Sequence, residues 1–223
     1  KLKAPETRWK LLNGKTGVVM IKLQGKLSRQ LYVAVSGGVD SMVILDFLKR
    51  NHEVRVLHFH HGTGHSDKAK RFVTDYCRKN KLPYHTDRIT GTVPLGRSRE
   101  EYWREYRYNF LSRFTDAPVV TAHHLDDCVE TWVFSSLNGT GKIVPYRRNY
   151  IVRPFRLNRK RDLQLWADLK GVPYISDPSN SDLGFRRNYI RHEMMPHILE
   201  VNPGIHSTIA KKVREDEYST LTT

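Results

Sequence analysis

The amino-acid sequence predicts an α/β fold built on a doubly wound parallel sheet. Four short apolar runs alternate along the chain with segments of helical spacing, which is typical of parallel strands joined by crossover helices. The first run leads directly into a Ser-Gly-Gly turn. With 223 residues, 39% of them hydrophobic, the chain is long enough to bury the core of one large domain.

The first predicted strand is apolar at nearly every position, as expected of a strand buried on both faces. The four strands are predicted at Leu31–Val35, Val54–Phe59, Tyr84–Ile89 and Val119–Ala122. The helices are predicted at Ser41–Arg50, Asp67–Lys79, Arg99–Phe114, Leu125–Leu137 and Arg159–Lys170. We expect the strand order 3-2-1-4-5, counted along the chain, because it makes strands one and four neighbours at a switch point where ligands bind.

The chain divides into three predicted segments. Residues 1–30 form an N-terminal segment in which Val18–Leu23 is expected to be an edge strand. Residues 31–200 form the main domain, and residues 201–223 form a helical tail or the start of a linker. No internal repeat or low-complexity linker separates them.

A net charge of +15 and a pI near 9.9 indicate a polyanionic partner. Charge alone leaves tRNA, other RNA, DNA and an acidic membrane surface open. No run approaches the ~20 apolar residues of a membrane span, and no leader is recognised, so we expect a cytoplasmic protein without a membrane partner.

Cysteine and histidine usage gives no indication of a metal centre. Cys77 and Cys128 form no Cys-x-x-Cys pair and are expected to be core or surface thiols. A zinc site is the alternative reading of four closely spaced histidines, His58, His60, His61 and His65. We do not favour zinc, because this stretch holds no cysteine and alternate strand residues point to opposite faces.

The segment from Ser36 to Ser41 has the composition of a phosphate-binding turn. Gly37 and Gly38 let the backbone turn tightly, so that the free N–H groups of the next helix can converge on an anion. The segment lacks the Gly-Lys-Ser/Thr ending of the common nucleotide loop. Asp40 is either a helix cap or a ligand-facing carboxylate.

A second cluster follows the fourth strand, in the segment His123–Thr131. Asp127 and Glu130 are three residues apart and therefore share one helical face. The acids could be first-turn partners of the helix dipole, bind Mg²⁺ against phosphates, or hold a substrate ammonium group. With the predicted strand order, this cluster and the Ser-Gly-Gly turn face one crevice.

The Ser-Gly-Gly-x-Asp-Ser string resembles the signature of PP-loop ATP pyrophosphatases. Further blocks from Leu31 to Asn202 resemble the tRNA(Ile)-lysidine synthetases of that superfamily. These blocks are Leu57–Gly62, Glu101–Tyr108, His124–Thr131, Asp177–Asn180 and Phe185–His192. The sequence departs from the family pattern at His60, Trp103 and Cys128, and the C-terminal domains of longer members are not found.

The resemblance implies a fold, a reaction and its partners. Residues 31–200 would form a PP-loop catalytic domain that uses ATP and Mg²⁺. The enzyme would adenylate C2 of the wobble cytidine (C34) of a tRNA(Ile) with a CAU anticodon, and free L-lysine would then displace AMP to give lysidine. The alternatives are a tRNA thiolase on the same fold and a catalytically silent RNA-binding module. The oligomeric state stays open, a homodimer included.

The resemblance also assigns candidate site residues. Those for ATP are Ser36, Gly37, Gly38, Asp40 and Ser41. The catalytic candidates are Asp40, Asp126, Asp127, Glu130, Arg187 and Arg191, with Asp127 also the candidate Mg²⁺ ligand. Candidates for RNA contact are Arg104, Arg107, Arg147, Arg148, Arg156 and Arg159. By its composition, the basic stretch 142–161 is either a surface that follows RNA phosphates, with Tyr146, Tyr150 and Phe155 as candidate stacking platforms, or a solvated basic loop with packed aromatic residues.

Overall fold

The computed structural model of this chain describes residues 7–10 and 16–222. The first two strands, β1 (Thr7–Lys10) and β2 (Thr16–Val19), pair antiparallel in a small sheet of their own. The predicted edge strand at Val18–Leu23 is therefore wrong. Its later residues run instead as an irregular segment, because the Asn158 side chain holds both backbone groups of Lys22.

Six further strands form the main sheet. They are β3 (Gln30–Ala34), β4 (Glu53–His60), β5 (Tyr84–Arg88), β6 (Val119–Val120), β7 (Arg147–Arg148) and β8 (Ile151–Val152). Their spatial order is β5-β4-β3-β6-β8-β7. The first five in this order pair in parallel, and β7 is antiparallel to β8. The predicted fold class and the order 3-2-1-4-5 are confirmed, with β7 added at the edge.

Helices connect the strands close to the predicted bounds. They are α1 (Val39–Leu48), α2 (Gly64–Lys79), α3 (Arg99–Leu111), α4 (Leu125–Leu137) and α5 (Lys160–Lys170). Side-chain caps explain two of the starts, since Thr63 accepts the Ser66 N–H and Ser98 accepts the Glu101 N–H. Helix α5 ends at Gly171, whose φ of 61° is the left-handed conformation that glycine adopts readily.

The carboxyl-terminal part of the chain is helical. A short 3₁₀ turn (Pro178–Ser181) precedes α6 (Arg186–Tyr189), a π-helical turn (Ile190–Met194), α7 (Met195–Val201) and α8 (Ile205–Thr222). Helix α8 is not a detached tail, because Ile209 and Val213 are fully buried against α4 residues such as Val129. Its burial makes α8 part of the main domain.

The core lies on both faces of the sheet. On one face α1 packs against α5, where Phe47 meets Trp166 edge-on and the Trp166 indole N–H donates to Asp46 at 3.3 Å. On the other face α3 covers β3 and β4, with Phe110 against Phe59. In the described residues, no helix is long and apolar enough to cross a membrane.

Candidate functional site

The Ser-Gly-Gly turn joins the carboxyl end of β3 to the start of α1. Gly37 has a φ of 95°, a backbone conformation that favours glycine. A Cβ atom there would lie 3.4 Å from the side chains of Ile175 and Val73. Gly38 is the N-cap of α1 and brings no side-chain cap. The first-turn N–H groups of α1 therefore remain available for an anion.

The two serine hydroxyls hold the turn in shape. Ser41 Oγ accepts the Ser36 N–H at 3.1 Å and donates to the Gly38 carbonyl at 3.0 Å. Ser36 Oγ accepts the Gly38 N–H at 3.3 Å and also lies 3.1 Å from Ser41 Oγ. Ser41 is buried and Ser36 is exposed, so Ser36 is the hydroxyl that a ligand can reach.

Asp40 is a partly buried carboxylate whose two oxygens have different surroundings. One oxygen lies 3.7 Å from His124 Nε2, whereas the other is buried without a hydrogen-bond partner. Burial opposes its ionisation, but His124, Lys160 and Arg191 lower the pKa of Asp40 below the ordinary value. An ionised oxygen without a partner is costly unless a ligand or cation contacts it, which favours the ligand-facing reading of Asp40 over a cap.

His124 is a buried imidazolium between three acids. Burial opposes its protonation, but Asp127, Asp40 and Asp126 raise the pKa of His124 to about 9. The 3.3 Å contact in which His124 Nδ1 accepts the Asp127 N–H requires a neutral ring. Three carboxylates outweigh one long hydrogen bond, so the ring is charged at neutral pH.

A cavity of about 260 Å³ opens beside the turn, at the carboxyl ends of β3, β4 and β6. One part of its wall is apolar and comprises Ala34, Val35, Leu57, Phe59, Leu111 and Ala122. The rest is polar and comprises Ser36, Asp40, Ser41, His61, Arg107, Tyr108, Thr121, His123, Asp127 and Arg187. The predicted convergence of both sequence clusters on one crevice is confirmed for Asp40 and Asp127.

Asp127 faces this cavity from the first turn of α4. Its Oδ2 accepts the backbone N–H of His124 at 2.9 Å, and its Oδ1 lies 3.8 Å from Arg191 Nη2. Burial opposes ionisation, but His124 and His123 lower the pKa of Asp127. A carboxylate that is ionised and aimed into a cavity can hold a cation or accept a proton.

Glu130 lies one turn along α4 and is paired with Arg191. Arg191 donates from Nε to Glu130 Oε1 at 2.7 Å and from Nη2 to Glu130 Oε2 at 2.9 Å. Burial raises the pKa of Glu130, although Arg191 opposes that change. Neither Glu130 nor Arg191 is part of the cavity wall described above, and their assignments as catalytic residues stay predictions.

Asp126 does not face the cavity, and its prediction as a catalytic residue is wrong. Its Oδ2 accepts the Lys160 N–H at 2.8 Å, and its Oδ1 contacts Arg159 Nε and His206 Nε2 at 3.3 and 3.2 Å. Asp126 and Asp127 still share one partner, since their Oδ2 atoms lie 3.7 and 3.5 Å from His124 Nδ1. Asp126 joins α4 to the start of α5 and to α8.

The predicted RNA-binding arginines divide between surface and core. Arg104 and Arg107 are half-buried on α3, whereas Arg147 and Arg148 are exposed on β7. Arg156 is fully buried and bonds Asp216 at 2.6 Å and the Val144 carbonyl at 2.7 Å, so its assignment to RNA is wrong. Arg159 is half-buried and its Nε contacts Asp126 Oδ1 at 3.3 Å, and its assignment to RNA stays a prediction.

The proposed stacking platforms are largely internal. Tyr146 and Phe155 are 2% and 0% exposed, which excludes stacking on an RNA base without unfolding. Tyr150 is 48% exposed and remains a candidate. The alternative interpretation of this stretch, a basic segment with packed aromatic residues, is confirmed for Tyr146 and Phe155.

The histidines in and after β4 have separate partners. His58 Nδ1 donates to the Val35 carbonyl at 2.8 Å, and His60 Nε2 donates to Asp67 at 2.8 Å. His65 lies 3.7 Å from Asp177. In the part of the chain that the structure describes, no group of three or more His, Cys, Asp or Glu residues is placed to hold a metal ion.

Four polar wall residues were not assigned from the sequence, namely His61, Tyr108, Thr121 and His123. Burial lowers the pKa of His61 to about 3, and burial with nearby arginines lowers that of His123, so both rings are neutral. Tyr108 lies beside Arg107 on α3. Tyr108 and His61 lie within the blocks that resemble a known family, and this was the one signal in the sequence that could have identified them.

A Ser-Gly-Gly turn at the switch point of a parallel sheet defines an α/β protein that binds a phosphorylated ligand. The PP-loop domain family matches residues 15–198, and the chain belongs to that family. Membership in this family implies that the chain uses ATP.

Curated proteins similar to this chain are described as tRNA(Ile)-lysidine synthases. One from Thermotoga sp. is 33% identical over 200 residues, which cover 81% of this chain and 48% of that protein. One from Porphyromonas gingivalis is 34% identical over 207 residues, covering 85% of this chain and 45% of that protein. The chain thus spans about half the length of the curated relatives it matches.

Among solved structures, an NH3-dependent NAD synthetase from Campylobacter jejuni superposes with a TM-score of 0.50 at 14% sequence identity. The match covers 87% of this chain and 88% of that chain. At this identity the likeness supports the fold alone, and it agrees with the predicted fold class.

Proposed function

We propose that this chain catalyses the ATP-dependent ligation of free lysine to C2 of the wobble cytidine of a tRNA(Ile) with a CAU anticodon. One observation carries the proposal. The PP-loop turn, the Asp127 carboxylate and two arginines, Arg107 and Arg187, line the same cavity. The similarity to tRNA(Ile)-lysidine synthases supplies the substrates.

ATP would lie along this cavity. The apolar wall suits the adenine ring, and the free N–H groups of α1 and the Ser36 hydroxyl suit the phosphates. The C2 oxygen of cytidine attacks the α-phosphorus, and the bond from that phosphorus to pyrophosphate breaks. Arg107 and Arg187 lie where they can stabilise the negative charge of the pentacovalent phosphorus.

The residues present fit a magnesium ion. Asp40 has an ionised oxygen without a partner, and Asp127 supplies a second carboxylate to the same cavity. Mg²⁺ is commonly held by one or two carboxylates together with substrate phosphates, so a third protein ligand is not required. When bound, the ion would neutralise phosphate charge during adenylation.

Lysine would enter on the acidic side of the cavity. Its ε-amine, reacting as the free base, forms a bond to C2 of the adenylated cytidine, the bond from C2 to the AMP oxygen breaks, and the amine nitrogen gives up one proton. Asp127 is the acceptor we assign, because its carboxylate is ionised and faces the cavity. Arg191 and Glu130 hold each other and keep a positive charge beside Asp127.

The tRNA partner agrees with the charge of the chain. A net charge of +15 gives a sequence-independent attraction to RNA phosphates. Among the predicted RNA contacts, Arg104, Arg107 and Arg159 are half-buried and Arg147 and Arg148 are exposed.

Thiolation is disfavoured by the state of the thiols. Cys77 and Cys128 are both buried, and burial raises their pKa values to about 11 and about 12. A sulfur carrier needs an accessible thiolate, which neither residue can supply. The silent RNA-binding module is disfavoured by the intact turn and by the unpartnered Asp40 oxygen.

The test is a reaction with ATP, labelled lysine and tRNA(Ile) that carries CAU, followed by mass spectrometry of the nucleosides. We expect lysidine, with one AMP and one pyrophosphate released per lysine incorporated. A tRNA with cytidine replaced by uridine at the wobble position is the control substrate. Sulfur incorporation, or RNA binding with no nucleotide turnover, would replace this proposal with one of the two alternatives.

A further inference from the structure

Four arginines surround the phenol of Tyr108 at one side of the cavity. The guanidinium carbons of Arg104, Arg107 and Arg148 lie 4.8, 5.6 and 5.6 Å from the centre of the Tyr108 ring. Arg153 Nη2 donates to the Tyr108 hydroxyl at 3.2 Å. We refer to these five residues as the Tyr108 arginine cluster.

The positive charge of this cluster is not compensated. Among the residues that the structure describes, no carboxylate forms an ion pair of 4.0 Å or less with any of its four guanidinium groups. Other arginines at the site are paired, since Arg187 contacts Glu100 at 3.4 Å and Arg191 contacts Glu130 at 2.7 Å. Buried cations are ordinarily paired, so the cluster is unusual.

Arg153 is the most deeply buried arginine of the cluster. Its side chain is 1% exposed, and it donates to the Pro145 carbonyl at 2.9 Å and to Tyr108. Its Nε is buried with no hydrogen-bond partner. Burial and mutual repulsion lower the pKa values of Arg104 and Arg107. Burial opposes ionisation of Tyr108, but the arginines lower its pKa.

From this geometry we propose that the Tyr108 arginine cluster binds a phosphate group. Guanidinium groups match phosphate oxygens in shape and charge, and a phosphate would supply the missing counter-charge. Arg107 and Tyr108 also line the cavity, so the phosphate lies next to the reacting groups. It comes either from the RNA backbone beside the target nucleotide or from the pyrophosphate end of ATP, and only the RNA source rests on the proposed function.

The test compares two conservative variants by calorimetry. Arg148→Gln removes a charge from an exposed side chain, and Tyr108→Phe removes a hydroxyl and keeps the ring. The probes are a CAU anticodon stem-loop RNA, MgATP and sodium pyrophosphate, each titrated at several salt concentrations. We expect Arg148→Gln to weaken binding of the phosphate source about tenfold, and Tyr108→Phe to weaken it several-fold.

The matched control is Arg78→Gln. Arg78 is exposed in the last turn of α2 and pairs with Asp75 at 2.9 Å, so its replacement changes the net charge equally and leaves the cluster intact. We expect it to bind all three probes within about twofold of the unmodified chain. Thermal melts of all variants report whether the fold is kept.

The probe that weakens identifies the source of the phosphate. Weaker RNA binding alone assigns the cluster to the RNA backbone, and weaker MgATP and pyrophosphate binding alone assigns it to ATP. The proposal is overturned if both variants bind all three probes as Arg78→Gln does. Failure of the unmodified chain to form lysidine would remove the proposed function, whereas these binding results would stand.

Discussion

For Asp40 the sequence leaves two roles open, a helix cap and a carboxylate that faces a ligand, and the structure distinguishes between them. A cap needs its carboxylate near the helix N–H groups, but Gly38 is the N-cap and one Asp40 oxygen has no partner. A buried, ionised oxygen without a partner is costly unless a ligand or cation contacts it. This cost favours the ligand-facing role of Asp40, which stays a prediction.

We predict that Asp40→Asn lowers ATP-dependent pyrophosphate release at least about 10²-fold, because an amide cannot replace an ionised metal ligand. The melting temperature should stay within a few degrees of the unmodified chain, since the fold keeps its hydrogen bonds. The measurement is steady-state pyrophosphate release alongside thermal melting. Near-normal release by the folded variant would contradict this role.

His124 predicts a pH dependence of stability. Its pKa rises from 6.5 in the unfolded chain to about 9 in the fold, so its stabilisation is complete below pH 6.5 and is lost as the pH rises through 9. The contribution is on the order of 3 kcal/mol at most. Urea unfolding at pH 6, 7.5 and 9 should show this decline.

In His124→Gln the decline between these pH values should flatten, because glutamine does not titrate. The variant should also be less stable at pH 6, where the charged histidine is worth most. If its stability fell with pH as steeply as that of the unmodified chain, another group would be responsible for the decline.

At the scale of an element, the first turn of α4 places two neighbouring acids in different surroundings. Asp127 faces the cavity, whereas Asp126 accepts the Lys160 N–H at the start of α5 and contacts His206 of α8. One helix thus supplies both a site residue and a junction between three helices. Substitutions of the two acids should have different consequences.

We predict that Asp126→Asn destabilises the fold by about 1–3 kcal/mol, because it weakens hydrogen bonds to charged partners. Single-turnover lysine transfer by the folded fraction should change little. Asp127→Asn should abolish transfer, and it should lower stability only at pH values where His124 is charged, because the Asp127 carboxylate raises the pKa of His124. Urea unfolding and single-turnover rates measure both effects, and loss of transfer in both variants with no change in stability would contradict the division.

At the scale of the whole molecule, the excess positive charge predicts a strong salt dependence of tRNA affinity. Lys142, Arg147, Arg148 and Arg161 are exposed in or beside the basic stretch. Replacing all four with glutamine should weaken binding to every tRNA alike. The slope of log affinity against log salt should flatten by about 0.7–0.9 for each RNA phosphate that the variant no longer neutralises.

Arg156→Gln is the control for this prediction. Its guanidinium group is buried against Asp216, so the substitution should lower stability and leave the salt slope unchanged. The measurement is filter binding of tRNA between low and physiological salt. An unchanged slope in the four-site variant would remove the basic surface as the RNA-binding face.

The sheet could be predicted from the sequence because its evidence is local. A parallel strand buried on both faces is a continuous apolar run, and Leu31 and Val33 are 1% and 0% exposed. The turn after β3 could also be predicted from the sequence, since a tight backbone turn favours glycine. Both features depend on residues next to each other in the chain.

The incorrect predictions concern residues whose contact partners are distant in the sequence. Arg156 was assigned to RNA because its charge is visible, whereas its burial depends on Asp216, 60 residues later. Asp126 was assigned to catalysis because it adjoins Asp127, and only the placement of α5 and α8 shows where it points. Contacts of this kind depend on the packing of helices that sequence spacing does not give.

The order of the strands also sets a sequence of events during synthesis. β3 pairs with β4 on one side as soon as residues 53–60 leave the ribosome, but on its other side Tyr32 pairs with Val119. Through the translation of nearly 60 further residues, one edge of an apolar central strand stays open. Open apolar edges recruit other chains, so the nascent protein is most prone to aggregate in this interval.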